Sequence, residues 1–207
     1  MQSRNCSSPA RISIPHCNKV LGVALLMLAA PAASQPYPAT EVLDAFRTAC
    51  ANTRKFEKLE KQLPKKGWEA LPAGGEPRIA QLVSKGRAAL EDGERLDGHE
   101  YRKSVAGRQL YLVTSRVTDE SGIWASGCRL YDFDAGAPIA DATLVKWMTR
   151  EPTHKEELPN GGVIRKWEPG WRSGVSVDVD FAGHGGEFNE KFGLSGVVMI
   201  ASSIGGF

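Results

Sequence analysis

His184 is the residue of this sequence whose surroundings most suggest chemistry. It stands in Phe181-Ala182-Gly183-His184-Gly185-Gly186-Glu187, directly after a segment in which Ser176, Asp178 and Asp180 alternate with Val175, Val177 and Val179. In a strand that alternation puts both aspartates on one face and the valines on the other. An imidazole on a glycine-rich loop beside two carboxylates has the parts of a general base or of a small hydrolytic or metal-dependent site, since histidine changes charge near neutral pH. The competing reading is a solvated loop histidine beside an exposed sheet face.

A second acidic alternation, Asp132 and Asp134, lies in Tyr131-Asp132-Phe133-Asp134-Ala135-Gly136. Its spacing resembles the opening of a calcium loop, but the third acidic position and the closing glutamate are missing. These two residues are weak metal candidates, and the four aspartates could meet only if their strands were neighbours. His154-Lys155-Glu156 matches half of a zinc deaminase signature without the following Pro-Cys-x-x-Cys. The zincin, Walker, Gly-x-Ser-x-Gly and complete Gly-x-Gly-x-x-Gly patterns are absent as well. No cofactor is therefore expected, and a non-enzymatic role is favoured over an enzyme.

Aromatic and cationic residues supply a different candidate. Trp167 and Trp171 are interleaved with Arg165, Lys166 and Arg172, with Trp147 upstream. At a hairpin such a set offers cation–π and stacking contacts to a small ligand or a partner protein of the cell envelope. The alternative is packing, with the cations reaching past the rings to water.

The elements that must position these residues can be read from periodicity. A helix is expected from Thr40, its cap, with Leu43, Phe46 and Cys50 on one face; a second, rotated stripe of Phe56, Leu59 and Leu63 ends at Pro64. Pro77 opens a third helix with Ile79, Leu82, Val83, Ala89 and Leu90 in one stripe. Beyond Gly98 the period falls to two. Strands are expected at 101–105, 109–117, 123–134, 163–167, 174–181 and 196–204, with a short helix capped by Asp141 inserted and glycine-rich loop at 183–193. Runs of strands separated by helices, without strict alternation, indicate an α+β domain: leading helices on one face of a mostly antiparallel sheet of about six strands.

The N-terminal 34 residues read as a cleaved export signal. Arg4, Arg11 and Lys19 precede an apolar run from Val20 to Ala30, and small residues follow up to Ser34. That run is shorter than the roughly 18 to 20 apolar residues that cross a bilayer, so no transmembrane segment is expected after cleavage. Residues 35–39 form a proline-containing lead-in, and residues 40–207 one domain. Residues 1–34 hold three of the 26 basic residues and none of the 24 acidic ones, leaving 23 against 24. A near-neutral domain carries no electrostatic footprint for nucleic acid. Of four cysteines only Cys50 and Cys128 follow the signal, and in an oxidising compartment such an isolated pair is expected to form a disulfide. The sequence thus predicts a periplasmic or secreted binding module, with a small hydrolase or metal-dependent enzyme using His184 with Asp178 or Asp180 as the alternative.

Overall fold

The computed structural model describes residues 36–207, so the expected export signal lies outside the described residues. The chain runs α1 (Ala39–Cys50), α2 (Phe56–Gln62), β1 (Glu69–Ala70), α3 (Pro77–Ala88), β2 (Arg95–Asp97), β3 (Glu100–Val105), β4 (Arg108–Thr118) and β5 (Trp124–Asp132). It continues with α4 (Asp141–Met148), β6 (His154–Glu157), β7 (Val163–Trp167), β8 (Ser176–Ala182), α5 (Glu187–Phe192) and β9 (Gly196–Gly205). All strand pairs are antiparallel, in the order β1-β3-β4-β5-β9-β8-β7-β6, and β2 also pairs with β4.

The class is α+β, as the patterning implied, but the sheet has nine strands rather than about six. The three unforeseen ones, β1, β2 and β6, are two to four residues long. They are too short to show alternation, and β6 is exposed throughout, as a charged edge strand can be. The glycine-rich segment after β8 also contains a helix, α5.

The helices cover both faces of the sheet, not one. The first face carries Leu110, Leu112, Cys128, Leu130, Val177, Val179, Met199 and Ala201, which form one core with Leu43 and Phe46 of α1, Leu59 of α2 and Leu144 of α4. The second face carries Val113, Tyr131 and Val198, which pack with Ile79 of α3, with Leu82 and Val83, and with Phe192 at the end of α5. The physical reason lies in the central strands. Leu112 and Val113 in β4, and Leu130 and Tyr131 in β5, are all buried although neighbours point in opposite directions. A sheet that is apolar on both faces needs cover on both.

Helix starts also shift slightly. Pro38 and Ala140, rather than Thr40 and Asp141, occupy the N-cap positions of α1 and α4, and neither gives a side-chain cap. At α3 the Glu76 side chain accepts the Arg78 N–H and Pro77 takes the first helical position, where its missing N–H costs nothing.

Cys50, at the end of α1, and Cys128, in β5, form a disulfide, and both are fully buried. The bond links the first helix to the centre of the sheet across 78 residues of sequence. Among the described residues no helix is long and apolar enough to cross a membrane.

Candidate functional site

The residues singled out in the sequence are not brought together. His184 is exposed at the end of β8, and among the described residues no hydrogen bond or ion pair joins it to Asp178 or Asp180. Both aspartates lie on the second face, but they turn toward β7 and not toward the His184 loop. The β7–β8 ladder pairs Val163 with Phe181 and Lys166 with Asp178, and it is interrupted at Ile164 and Arg165. There Asp180 Oδ1 accepts the backbone N–H of Arg165 at 3.1 Å. Burial pushes the Asp180 carboxyl up to about 7, aided by the charge of Asp178 and opposed by the Arg165 N–H. Burial raises Asp178 too, and its Oδ1 has no hydrogen-bond partner.

Asp132 is fully buried and committed to Arg108, which donates through Nε at 2.9 Å and through its terminal nitrogen at 2.6 Å. Asp134 is exposed and pairs with Arg78 at 3.4 Å. β9 separates β5 from β8, and Asp132 points to the first face while Asp178 and Asp180 point to the second, so the four carboxylates do not converge.

The tryptophan set is a packing device. Trp167 is fully buried and its Nε1 donates to the Arg150 carbonyl at 3.2 Å. Arg165 is 5% exposed and donates to Asp141 at 2.6 Å. Trp171 packs edge-on to Phe46 at 5.4 Å and to Trp147 at 6.2 Å, which ties the β7–β8 turn to α1 and α4. The hollow beside Trp167 measures about 30 Å³, room for a water molecule and no ligand. Only Arg172 of the expected surface is exposed. The sequence separates packing from display poorly here, because a buried cation partnered by Asp141 looks the same as an exposed one.

A concave site occurs elsewhere, on the second face under α3. Ile79 at the start of that helix is fully buried, whereas Leu82 and Val83 are only partly so, and between them and the sheet lies a cavity of about 490 Å³. Its volume falls within the range of small-molecule sites, roughly 300 to 1,000 Å³. The floor is Val113, Val117 and Tyr131; Leu96 of β2 closes one side and Phe192 another. β2 and β3 meet at Gly98 and His99 opposite Thr114, whose N–H donates to the His99 carbonyl at 3.0 Å. A Cβ at Gly98 would collide with the Thr114 carbonyl oxygen, so glycine is what lets the chain step sideways and open this edge of the cavity.

Two ionisable side chains enter from the floor. Glu100 pairs with Val113 and Val113 with Arg129, so the carboxyl and the guanidinium stand on the same face on either side of Val113. Glu100 is 8% exposed, and its Oε2 has no hydrogen-bond partner. Burial raises its carboxyl, opposed by the Gly74 N–H and by the charge of Arg87. Arg129 donates to Ser115 Oγ at 2.8 Å and lies over Gly127, where a Cβ would collide with the guanidinium. Among the described residues Arg129 makes no ion pair. On the first face, across the sheet from the cavity, Glu60 of α2 accepts from Tyr101 at 2.6 Å and from Thr114, and meets His99 Nδ1 at 2.7 Å.

Sequence reasoning missed this site. His99 and Glu100 fall outside the strand expected at 101–105, in a short polar run of a predicted loop, and Arg129 lies within the expected strand between Cys128 and Leu130. The available signal was a charge at a position where a strand's alternation calls for an apolar residue, and Arg129, between Gly127 and Tyr131 on its face of β5, has it; Glu100 does not, because Arg102 and Ser104 share its face of β3. No known protein family, characterised protein or solved structure matches the chain.

Proposed function

We propose that the domain is an exported, non-enzymatic binding module that takes a small, mainly apolar ligand in the cavity beneath α3. The observation that carries this reading is the buried Glu100 carboxyl, with one oxygen unpartnered, on the floor of an apolar cavity of about 490 Å³. An unpaired buried polar atom costs about 1–3 kcal/mol, and a ligand that brings a donor to it recovers that cost on binding. The mainly apolar walls supply affinity, while the few polar groups select orientation. The buried disulfide supports function in an oxidising compartment.

The test is a fluorescence titration with the neutral apolar dye N-phenyl-1-naphthylamine. Its emission is expected to rise on saturable binding to the protein, and to lose at least tenfold in affinity in Leu82→Trp, which fills the cavity from a half-exposed wall position. Absence of saturable binding to the unaltered protein, or equal affinity in a correctly folded Leu82→Trp, would overturn the assignment.

A further inference from the structure

The charges inside the cavity narrow the ligand beyond its apolar character, and this step rests on the reading of the cavity as a binding site. Glu100 lacks a donor at Oε2. A simple apolar amine would satisfy it, yet the lining also holds Lys85, Arg87 and Arg129 against two carboxylates, Asp97 and Glu100. Of these, Asp97 is engaged by Arg95 at 3.3 Å. A lone cation would therefore enter a site with excess positive charge. A simple apolar acid meets the converse difficulty, since it would satisfy Arg129 and leave Glu100 Oε2 without a donor.

A ligand carrying both a cationic donor and an anionic acceptor answers both residues at once. We infer that the cavity binds a short apolar peptide with free termini, its ammonium on Glu100 and its carboxylate on Arg129. The separation calls for a chain rather than a single amino acid. Neighbouring strands are about 4.8 Å apart, so the backbones of Glu100 and Arg129, two strands apart, are about 10 Å from one another, and the Arg129 guanidinium reaches along the sheet to Ser115 and over Gly127 rather than toward Glu100. In a single amino acid the ammonium and carboxylate share one α-carbon and stand too close together to meet both groups, whereas a peptide of two or more residues, at about 3.3–3.6 Å per extended residue, can span them. Two apolar side chains then lie against Val113, Val117, Leu82 and Leu96, within the space that the cavity provides.

The experiment compares Leu-Phe, acetyl-Leu-Phe and Leu-Phe-amide by calorimetry on the unaltered protein, and by displacement of the naphthylamine dye. Free Leu-Phe is expected to bind and to displace the dye, and blocking either terminus should weaken binding at least tenfold. In Glu100→Gln the free and acetylated peptides should bind alike, and in Arg129→Gln the free and amidated ones should. The blocked peptides give the same reading without any substitution, so loss of folding in a variant does not obscure the result. If the dye binds but Leu-Phe neither binds nor displaces it, or if blocked and free peptides bind equally, the peptide inference falls and the cavity reading stands. If neither dye nor peptide binds, both fall.

Discussion

The backbone N–H of Arg165 donates to the carboxylate of Asp180 at 3.1 Å, at the point where the β7–β8 ladder is interrupted. The carboxylate thus replaces a strand carbonyl as acceptor, and it does so while held up to about 7 by burial. A carboxyl raised in the folded state keeps its proton in a window where the unfolded chain has lost it. Its contribution is complete below about pH 4 and disappears as pH rises to about 7, so stability falls with rising pH across that window. Asp178, shifted the same way, adds to the trend. Asp180→Asn keeps an oxygen for the Arg165 N–H and removes the charge. It is expected to gain stability over the unaltered protein on the order of 2 kcal/mol between pH 5 and pH 8, measured by urea denaturation at both pH values. A gap that does not widen with pH would count against the burial of this carboxyl.

Arg108 and Asp132 form the most buried ion pair of the sheet, with the Asp132 side chain 1% exposed. Tyr37 lies 5.6 Å from the guanidinium, and burial together with Asp132 raises its hydroxyl. Asp132→Ala would strand a partly buried cation and is expected to cost about 3–5 kcal/mol, read by chemical denaturation. Because both Asp132 oxygens are engaged by Arg108, millimolar calcium is expected to leave the melting temperature unchanged. A calcium-dependent rise would restore Asp132 as a cation ligand.

The Cys50–Cys128 bond closes a loop of 78 residues in sequence separation. For a loop of that size the chain-entropy contribution is about 4 kcal/mol, and loss of a native bond costs roughly 2–5 kcal/mol. The double variant Cys50→Ser, Cys128→Ser should show a loss of that size under oxidising conditions. It should be indistinguishable from the unaltered protein once the latter is fully reduced, apart from the buried hydroxyls. Equal stability of the oxidised protein and the variant would mean that the bond adds nothing to the packing of α1 on β5.

Much of the architecture was legible because it rests on local periodicity. The stripes of α1 and α2, the Pro77 start of α3 and the period-two runs of the longer strands depend only on near neighbours in sequence, and all are present. The disulfide followed from counting cysteines beyond the expected signal. The short strands and α5 were not legible, since two to six residues carry too little pattern against a background of charged residues and glycine.

The site was hidden for a different reason. Trp167 and Arg165 look like surface residues until Arg150 and Asp141 are found opposite them, and Asp178 and Asp180 look like partners for His184 until the ladder turns them toward β7. Glu100 and Arg129 are 29 positions apart and acquire a common role only through Val113, which pairs with both. Local propensity acts through neighbouring residues, so the sequence by itself determined the helices, the long strands and the bridge that staples them. Which charges are buried, which are paired and which face a common space depends on strand order and register, and those belong to the tertiary structure alone.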